Sequence, residues 1–208
     1  MELSELSVRA FAELLGSDAP APGGGSAAAL MGSIGASLNA MVSSLTLGRK
    51  KYEEQQAFAS ETFAKATDLQ KRFLAAMERD NAVFTAFSKT MALPKDTEEE
   101  KAARTEAMQA ALLDCTRAPL TMMELSCEAL ELTKSAIGKT NRGAASDLGV
   151  AALALKAAVQ SAWLNVLINI HSLKDADLAE QFRQKGEACL AKALPLADEI
   201  YTEIEASI

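Results

Sequence analysis

Apolar and polar positions recur along this chain at helical spacing almost from end to end. Ser7 stands where it can cap a short helix carrying Phe11, Leu14 and Leu15, with Gly16 as its stop. A loop holding Pro20, Pro22 and Gly23-Gly24-Gly25 follows, and a second helix is predicted from about Ser26 to Leu47. A third spans about Tyr52 to Ala92 and stops before Pro94. The fourth runs from about Thr97, a cap ahead of Glu98-Glu99-Glu100, to near Ile137, and Pro119 should kink or divide it. After the polar break 138–143, a fifth covers about Ala144 to Ser172 and a sixth about Asp175 to Ala206, with Pro195 as a kink. Long helices on short loops predict an all-α fold, an antiparallel bundle forming a single domain over residues 1–208.

One stretch resists the amphipathic pattern. Ala19 to Gly48 carries no charge, which raises the question of a membrane span. Pro20, Pro22 and six glycines break it, and Asn39 and several serines lie inside it, so a helix buried on all sides is the better reading. Its small residues Ala28, Gly32, Gly35 and Ala36 would let a neighbouring helix approach closely, and that packing must offset about 1 kcal/mol for each glycine inside a helix.

Composition narrows the function classes. The net charge of −7 over 208 residues disfavours a general nucleic-acid binder, which needs a basic face. Abundant alanine, leucine, glutamate and methionine with few aromatics favours helix. Cys115, Cys127 and Cys189 are widely spaced, so neither a disulfide framework nor a CxxC site is expected. His171 is the sole histidine, leaving too few ligands for a zinc site and a poor start for a nucleophile–histidine mechanism. The acidic opening Glu2–Glu5 has no apolar leader segment, and a cytoplasmic location is the expectation.

Four features do not suit a plain bundle. The third helix carries the stripe Phe63, Ala66, Leu69, Phe73, Met77, Asp80, Phe84, Phe87 and Met91, which puts Asp80 where an apolar residue belongs. A carboxyl buried there either finds a partner or has its pKa raised, and a raised carboxyl can give and take a proton near neutral pH. On the fifth helix Asp147, Ala151, Ala154, Ala158, Ala162, Asn165 and Asn169 share a face. About 27 Å of helix separates Asp147 from Asn165, so they cannot touch one small ligand from the same helix, although they could serve one site or two across a subunit interface. The competing reading is an N-cap at Ser146-Asp147 and inter-helix hydrogen bonds from the asparagines. Gly23, Gly24, Gly25 and Ser26 lead into a helix N-terminus, where free N–H groups favour anions. Gly138-Lys139-Thr140 has a P-loop ending, but Thr133 stands where the first glycine is required. Finally, Arg49-Lys50-Lys51-Tyr52 is a basic knot in an acidic chain, either a helix C-terminal charge cluster or an anion site with Tyr52 beside it.

Taken in order, Pro20-Ala21-Pro22-Gly23-Gly24-Gly25-Ser26, Leu45-Thr46-Leu47-Gly48-Arg49-Lys50-Lys51-Tyr52, Asp80-Asn81-Ala82-Val83-Phe84, Leu93-Pro94-Lys95, Ala118-Pro119-Leu120, Ser146-Asp147 and Asn165-Val166-Leu167-Ile168-Asn169-Ile170 resemble the cyclodeaminase/cyclohydrolase family of folate enzymes over the whole chain. The resemblance implies a helical homodimer with reduced-folate sites in clefts between or beside subunits. It implies an enzyme converting 5-formimidoyltetrahydrofolate to 5,10-methenyltetrahydrofolate with release of ammonia, or alternatively one opening the methenyl ring to 10-formyltetrahydrofolate. A non-catalytic folate-binding or interaction module is a further alternative. By resemblance Asp80 matches the proton donor, and Gly23, Gly24, Gly25, Ser26, Lys51, Tyr52, Asp147, Asn165 and Asn169 match positions expected to bind substrate. No metal and no cofactor beyond tetrahydrofolate is implied. The expected partners are a folate, with or without a polyglutamate tail, and a separate formiminotransferase, without nucleic acid or membrane. One departure is Gly138-Lys139-Thr140-Asn141-Arg142-Gly143, where relatives often carry Gly-Asn-x-Asn.

Overall fold

The computed structural model describes residues 2–208. In chain order the α-helices are α1 (Val8–Leu15), α2 (Gly24–Ser44), α3 (Gln56–Met91), α4 (Glu98–Ala136), α5 (Ala145–Ile170) and α6 (Ala176–Ser207), with short 3₁₀ turns at Leu3–Glu5, Lys50–Gln55 and Arg142–Ala144. Ser7 Oγ accepts from the Ala10 N–H at 3.1 Å, and Gly16 ends α1. Thr97 and Glu100 form a reciprocal capping box on α4, and Asp175 caps α6 through the Leu178 N–H.

Helix α2 is the central element. It packs on α3 along one side and α5 along another, touches α4, and leaves α6 to cover α4 and α5. Its glycines make this possible. A Cβ on Gly32 would sit 2.2 Å from the Phe73 ring of α3, and one on Gly35 would sit 2.6 Å from Leu155 of α5. Gly186 does the same for α6, where an added Cβ would lie 2.1 Å from the Trp163 ring. Among the polar groups caught in these contacts, Asn39 Nδ2 donates to Thr133 Oγ1 at 2.8 Å while its Oδ1 has no hydrogen-bond partner among the described residues, and Ser43, Thr116, Ser126 and Thr133 bond back to the preceding helical turn.

Five expectations need correction. Helix α2 begins at Gly24, so two glycines of the loop belong to its first turn. Nor is α2 buried on every side, since Ile34 and Met41 are 47% and 38% exposed on the face away from α3. Helices α2 and α5 are both long and apolar enough to cross a membrane, and here they are packed against each other. Tyr52 precedes α3 in a 3₁₀ turn. Proline does not divide α4, which continues through Pro119. The stripe on α3 also drifts. Ala66, Leu69, Phe73 and Met77 are buried, whereas Phe63, Phe84 and Met91 reach the surface. Its steps average three and a half residues, and such a stripe rotates about 20° per heptad on a straight helix.

Helices α3 and α4 are far longer than α2. Beyond Asp80 on α3 and before Cys115 on α4 they run on as a two-helix arm whose residues are mostly exposed. Gln109 ties the arm to the α5–α6 turn, donating to the Ser172 carbonyl at 3.0 Å and accepting from the Lys174 N–H at 2.8 Å.

Candidate functional site

Where the arm leaves the bundle, the N-terminus of α2 meets the middle of α3 and a cleft of about 160 Å³ opens. Asp80 forms its floor. The carboxylate lies against the first turn of α2, where Ser26 Oγ donates to Oδ2 at 3.1 Å. The fit requires glycine at position 25: a Cβ there would lie 2.3 Å from Asp80 Oδ1 and 2.6 Å from Oδ2. Burial pushes the Asp80 carboxyl above the usual carboxylate range, and the Ser26 hydroxyl and backbone N–H pull partly back by favouring the anion. A carboxyl so held keeps its proton to higher pH than an exposed one.

Helix α5 closes the other wall. Asn165 lies against Gly24, and its Nδ2 donates to the Ser161 carbonyl at 2.9 Å. Asn169 Nδ2 donates to the Cys115 carbonyl at 2.6 Å. Pro119 explains that bond. It has no N–H, so the carbonyl four residues earlier in α4, that of Cys115, lacks its helical donor, and Asn169 supplies one. Cys115 also lines the cleft; its thiol donates to the Val83 carbonyl at 3.5 Å, and burial followed by the nearby Asp80 charge pushes it up to about 11. Val83, Phe84 and Ile168 supply apolar walls, and Asn81 a polar one. The cleft thus combines apolar walls with polar side chains and one buried carboxyl.

The family model for formiminotransferase-cyclodeaminase matches residues 7–188. The chain is 37% identical over 202 residues to the methenyltetrahydrofolate cyclohydrolase of Methylorubrum extorquens, covering 97% of each protein. It is 33% identical over 199 residues to the formimidoyltransferase-cyclodeaminase of Sus scrofa, spanning 96% of this chain but 37% of that protein. This chain belongs to the formiminotransferase-cyclodeaminase family. The fold agrees: a formiminotetrahydrofolate cyclodeaminase structure from Thermotoga maritima superimposes with a TM-score of 0.79 over 99% of this chain and 97% of that one, at 23% identity.

Of the positions matched to the family by sequence, the structure gathers Gly23, Gly24, Gly25, Ser26, Asp80, Asn165 and Asn169 around one cleft. It does not bring Lys51, Tyr52 and Asp147 there. They lie at the far end of α2 and α5, about 30 Å away along the 21 residues of α2. Tyr52 is a lock at that end: its hydroxyl accepts from the Arg142 N–H at 3.1 Å and donates to Asn141 Oδ1 at 3.4 Å, joining the α2–α3 and α4–α5 loops. Asn141 reinforces the joint through Thr46 Oγ1 and the Leu45 carbonyl. Lys51 stays exposed, with its ammonium 5.7 Å from the Tyr52 ring centre. Asp147 sits in the first turn of α5, and Ala144 occupies the N-cap instead of Ser146. A larger hollow of about 330 Å³ lies at this end, lined by Thr140, Asn141, Arg142 and Glu203.

Sequence reasoning did not select Asn81, Phe84, Cys115 or Ile168 for the site. Asn81 and Phe84 stand within one turn of Asp80, a signal available beforehand. Cys115 had none, because its place depends on how α4 packs against α3.

Proposed function

We propose that the chain is a formimidoyltetrahydrofolate cyclodeaminase with Asp80 as its acid and base. The observation carrying this reading is a carboxyl raised by burial, set against the α2 N-terminus in an apolar cleft. With the protonated formimidoyl group on N5, N10 attacks the formimidoyl carbon and a five-membered ring closes. Protonated Asp80 gives its proton to the amino group, and its carboxylate then takes the proton from N10. Ammonia leaves and the methenyl cation remains, so charge and protons balance. Holding N10 against the carbon supplies much of the rate. The Asn165 and Asn169 amides and the open N–H groups at Gly24 and Gly25 are suited to the polar edge of a pterin, with Phe84 and Ile168 against its face. Every proton transfer is carried by Asp80, and the scheme uses no metal or cofactor beyond the folate.

A second reading is the cyclohydrolase, supported by the relative matching at 37% identity over 97% of both chains. Water would attack the same carbon and Asp80 would handle the same protons.

The reading extends to a homodimer. Ile34 and Met41 of α2 and Val150, Leu153, Leu164 and Ile168 of α5 form an exposed apolar face, with Ile168 70% exposed beside the cleft. Arg49, Lys50, Lys51, Lys139 and Arg142 crowd one end of this face, and none joins an ion pair among the described residues. A two-fold axis across the helices would set this basic end over the partner's Asp80 cleft, whereas an axis along them would oppose like charges. Lys51 would then meet the glutamate tail of a folate bound by the partner. A formiminotransferase partner is the class of protein that supplies the formimidoyl substrate.

The test follows absorbance of 5,10-methenyltetrahydrofolate from two starting points. Enzyme-dependent formation from 5-formimidoyltetrahydrofolate with ammonia release is the expected result. Enzyme-dependent loss of the methenyl form alone would replace it with the cyclohydrolase, and no change in either would overturn both.

A further inference from the structure

Away from the cleft, Cys127 of α4 and Cys189 of α6 meet where these helices pack. Cys127 is 6% exposed, and its Sγ donates to the Cys189 carbonyl at 3.5 Å. Cys189 is the more accessible of the two. We propose that Cys189 and Cys127 form a thiol–disulfide exchange site, in which Cys189 is attacked first and Cys127 resolves the mixed disulfide into an α4–α6 bridge.

The surroundings favour that order. Interaction between the neighbouring side chains holds the Cys189 thiol below its ordinary range and, together with burial, pushes Cys127 above its own. Lys192 favours a Cys189 thiolate, while Glu124 opposes it; the same lysine is paired with Glu131 at 2.6 Å. Burial keeps Cys127 from an external disulfide but not from an adjacent sulfur. Cys115 is the internal contrast: it is alone in the Asp80 cleft, and its thiol is pushed up to about 11. A thiolate is the attacking species, so exposure and thiolate character together rank Cys189 ahead of Cys115.

The oxidant is a low-molecular-weight disulfide such as glutathione disulfide. The Cys189 thiolate attacks one of its sulfurs, the glutathione S–S bond breaks, and one glutathione thiolate leaves. Cys127 gives its proton to solvent, its sulfur attacks Cys189 Sγ, and the second glutathione thiolate departs. Two protein thiols are oxidised by two electrons and one glutathione disulfide is reduced to two thiols. The bridge spans 62 positions of sequence and encloses all of α5, the helix carrying Asn165 and Asn169. It lies on α4 and α6, apart from the exposed α2–α5 face, so formation of a dimer through that face leaves it accessible.

The experiment is intact-mass and peptide analysis of the full chain treated with glutathione disulfide, then dithiothreitol. The expected product has lost about 2 Da, links the peptides holding Cys127 and Cys189, melts several degrees higher and returns on reduction. Cys127→Ser should stop at a single adduct of about 305 Da on Cys189, and Cys189→Ser should stay unmodified over the same interval. Circular dichroism checks that both variants keep their helix content. The proposal is overturned if the wild-type chain stops at the glutathione adduct, if Cys115 reacts as fast as Cys189, or if Cys189→Ser is modified at the wild-type rate.

Discussion

Replacing Gly25 with alanine isolates the placement of Asp80 from its chemistry. The new Cβ would lie 2.3 Å from Oδ1 and 2.6 Å from both Oδ2 and Cγ, so the entire carboxyl is in its way. Ordinary contact for such atoms begins near 3.4 Å, which requires a shift of roughly 1 Å. Asp80 can make that shift by rotating its side chain toward the open cleft, which breaks the 3.1 Å bond from Ser26. Misplacement of a reacting group by about 1 Å can cost a factor of about 100 in rate. The backbone effect runs the other way, since alanine is favoured over glycine inside a helix by up to about 1 kcal/mol. The expected variant is therefore folded, melts within a few degrees of wild type, and has kcat/KM reduced about 100-fold. Losing the Ser26 donors also removes what favours the anion, so the alkaline limb of its pH–rate profile, where protonated Asp80 is lost, should move to higher pH. The assay is methenyltetrahydrofolate absorbance against pH, alongside thermal melting by circular dichroism. Wild-type kcat/KM in a folded Gly25→Ala protein would refute the argument that Asp80 must sit where it does.

Three further outcomes are expected. Asp80→Asn removes the proton but little volume, so turnover should fall by a factor of about 100 to 10,000 with the fold intact. Its stability should vary with pH in a defined sense: the folded pKa of Asp80 lies above the ordinary value of 3.8, so the buried charge destabilises wild type above that folded pKa and the penalty disappears as pH falls toward 3.8. Asp80→Asn should thus melt above wild type at neutral pH, with the gap closing on acidification; a gap that widens would refute the raised pKa. Pro119→Ala restores an N–H aimed at the Cys115 carbonyl, which then competes with Asn169; KM for folate should rise several-fold with kcat largely kept, and an unchanged KM would remove Asn169 from binding. Lys51→Ala should raise KM only for polyglutamylated substrate, with an effect that shrinks as salt rises, and equal KM for both tail lengths would end the tail assignment.

What the chain determines locally is its helices. Ser7, Thr97 and Asp175 start them by satisfying N–H groups within their own first turns. Asp80 stands out because a carboxylate interrupts an apolar stripe, and that too is a local property. The glycines of α2 announce close packing, but not that Gly32 receives Phe73 while Gly35 receives Leu155, since facing partners depend on which helices pair. Tertiary structure alone decided that Ser26 would reach across 54 positions to Asp80, and that the carbonyl released by Pro119 would be claimed by Asn169, 54 positions beyond Cys115. It also separated Lys51, Tyr52 and Asp147 from the cleft, because α2 and α5 span the bundle and hold their two ends about 30 Å apart. Helical period is written in neighbours three and four residues away, whereas a site is assembled from groups whose meeting depends on how whole helix faces fit together.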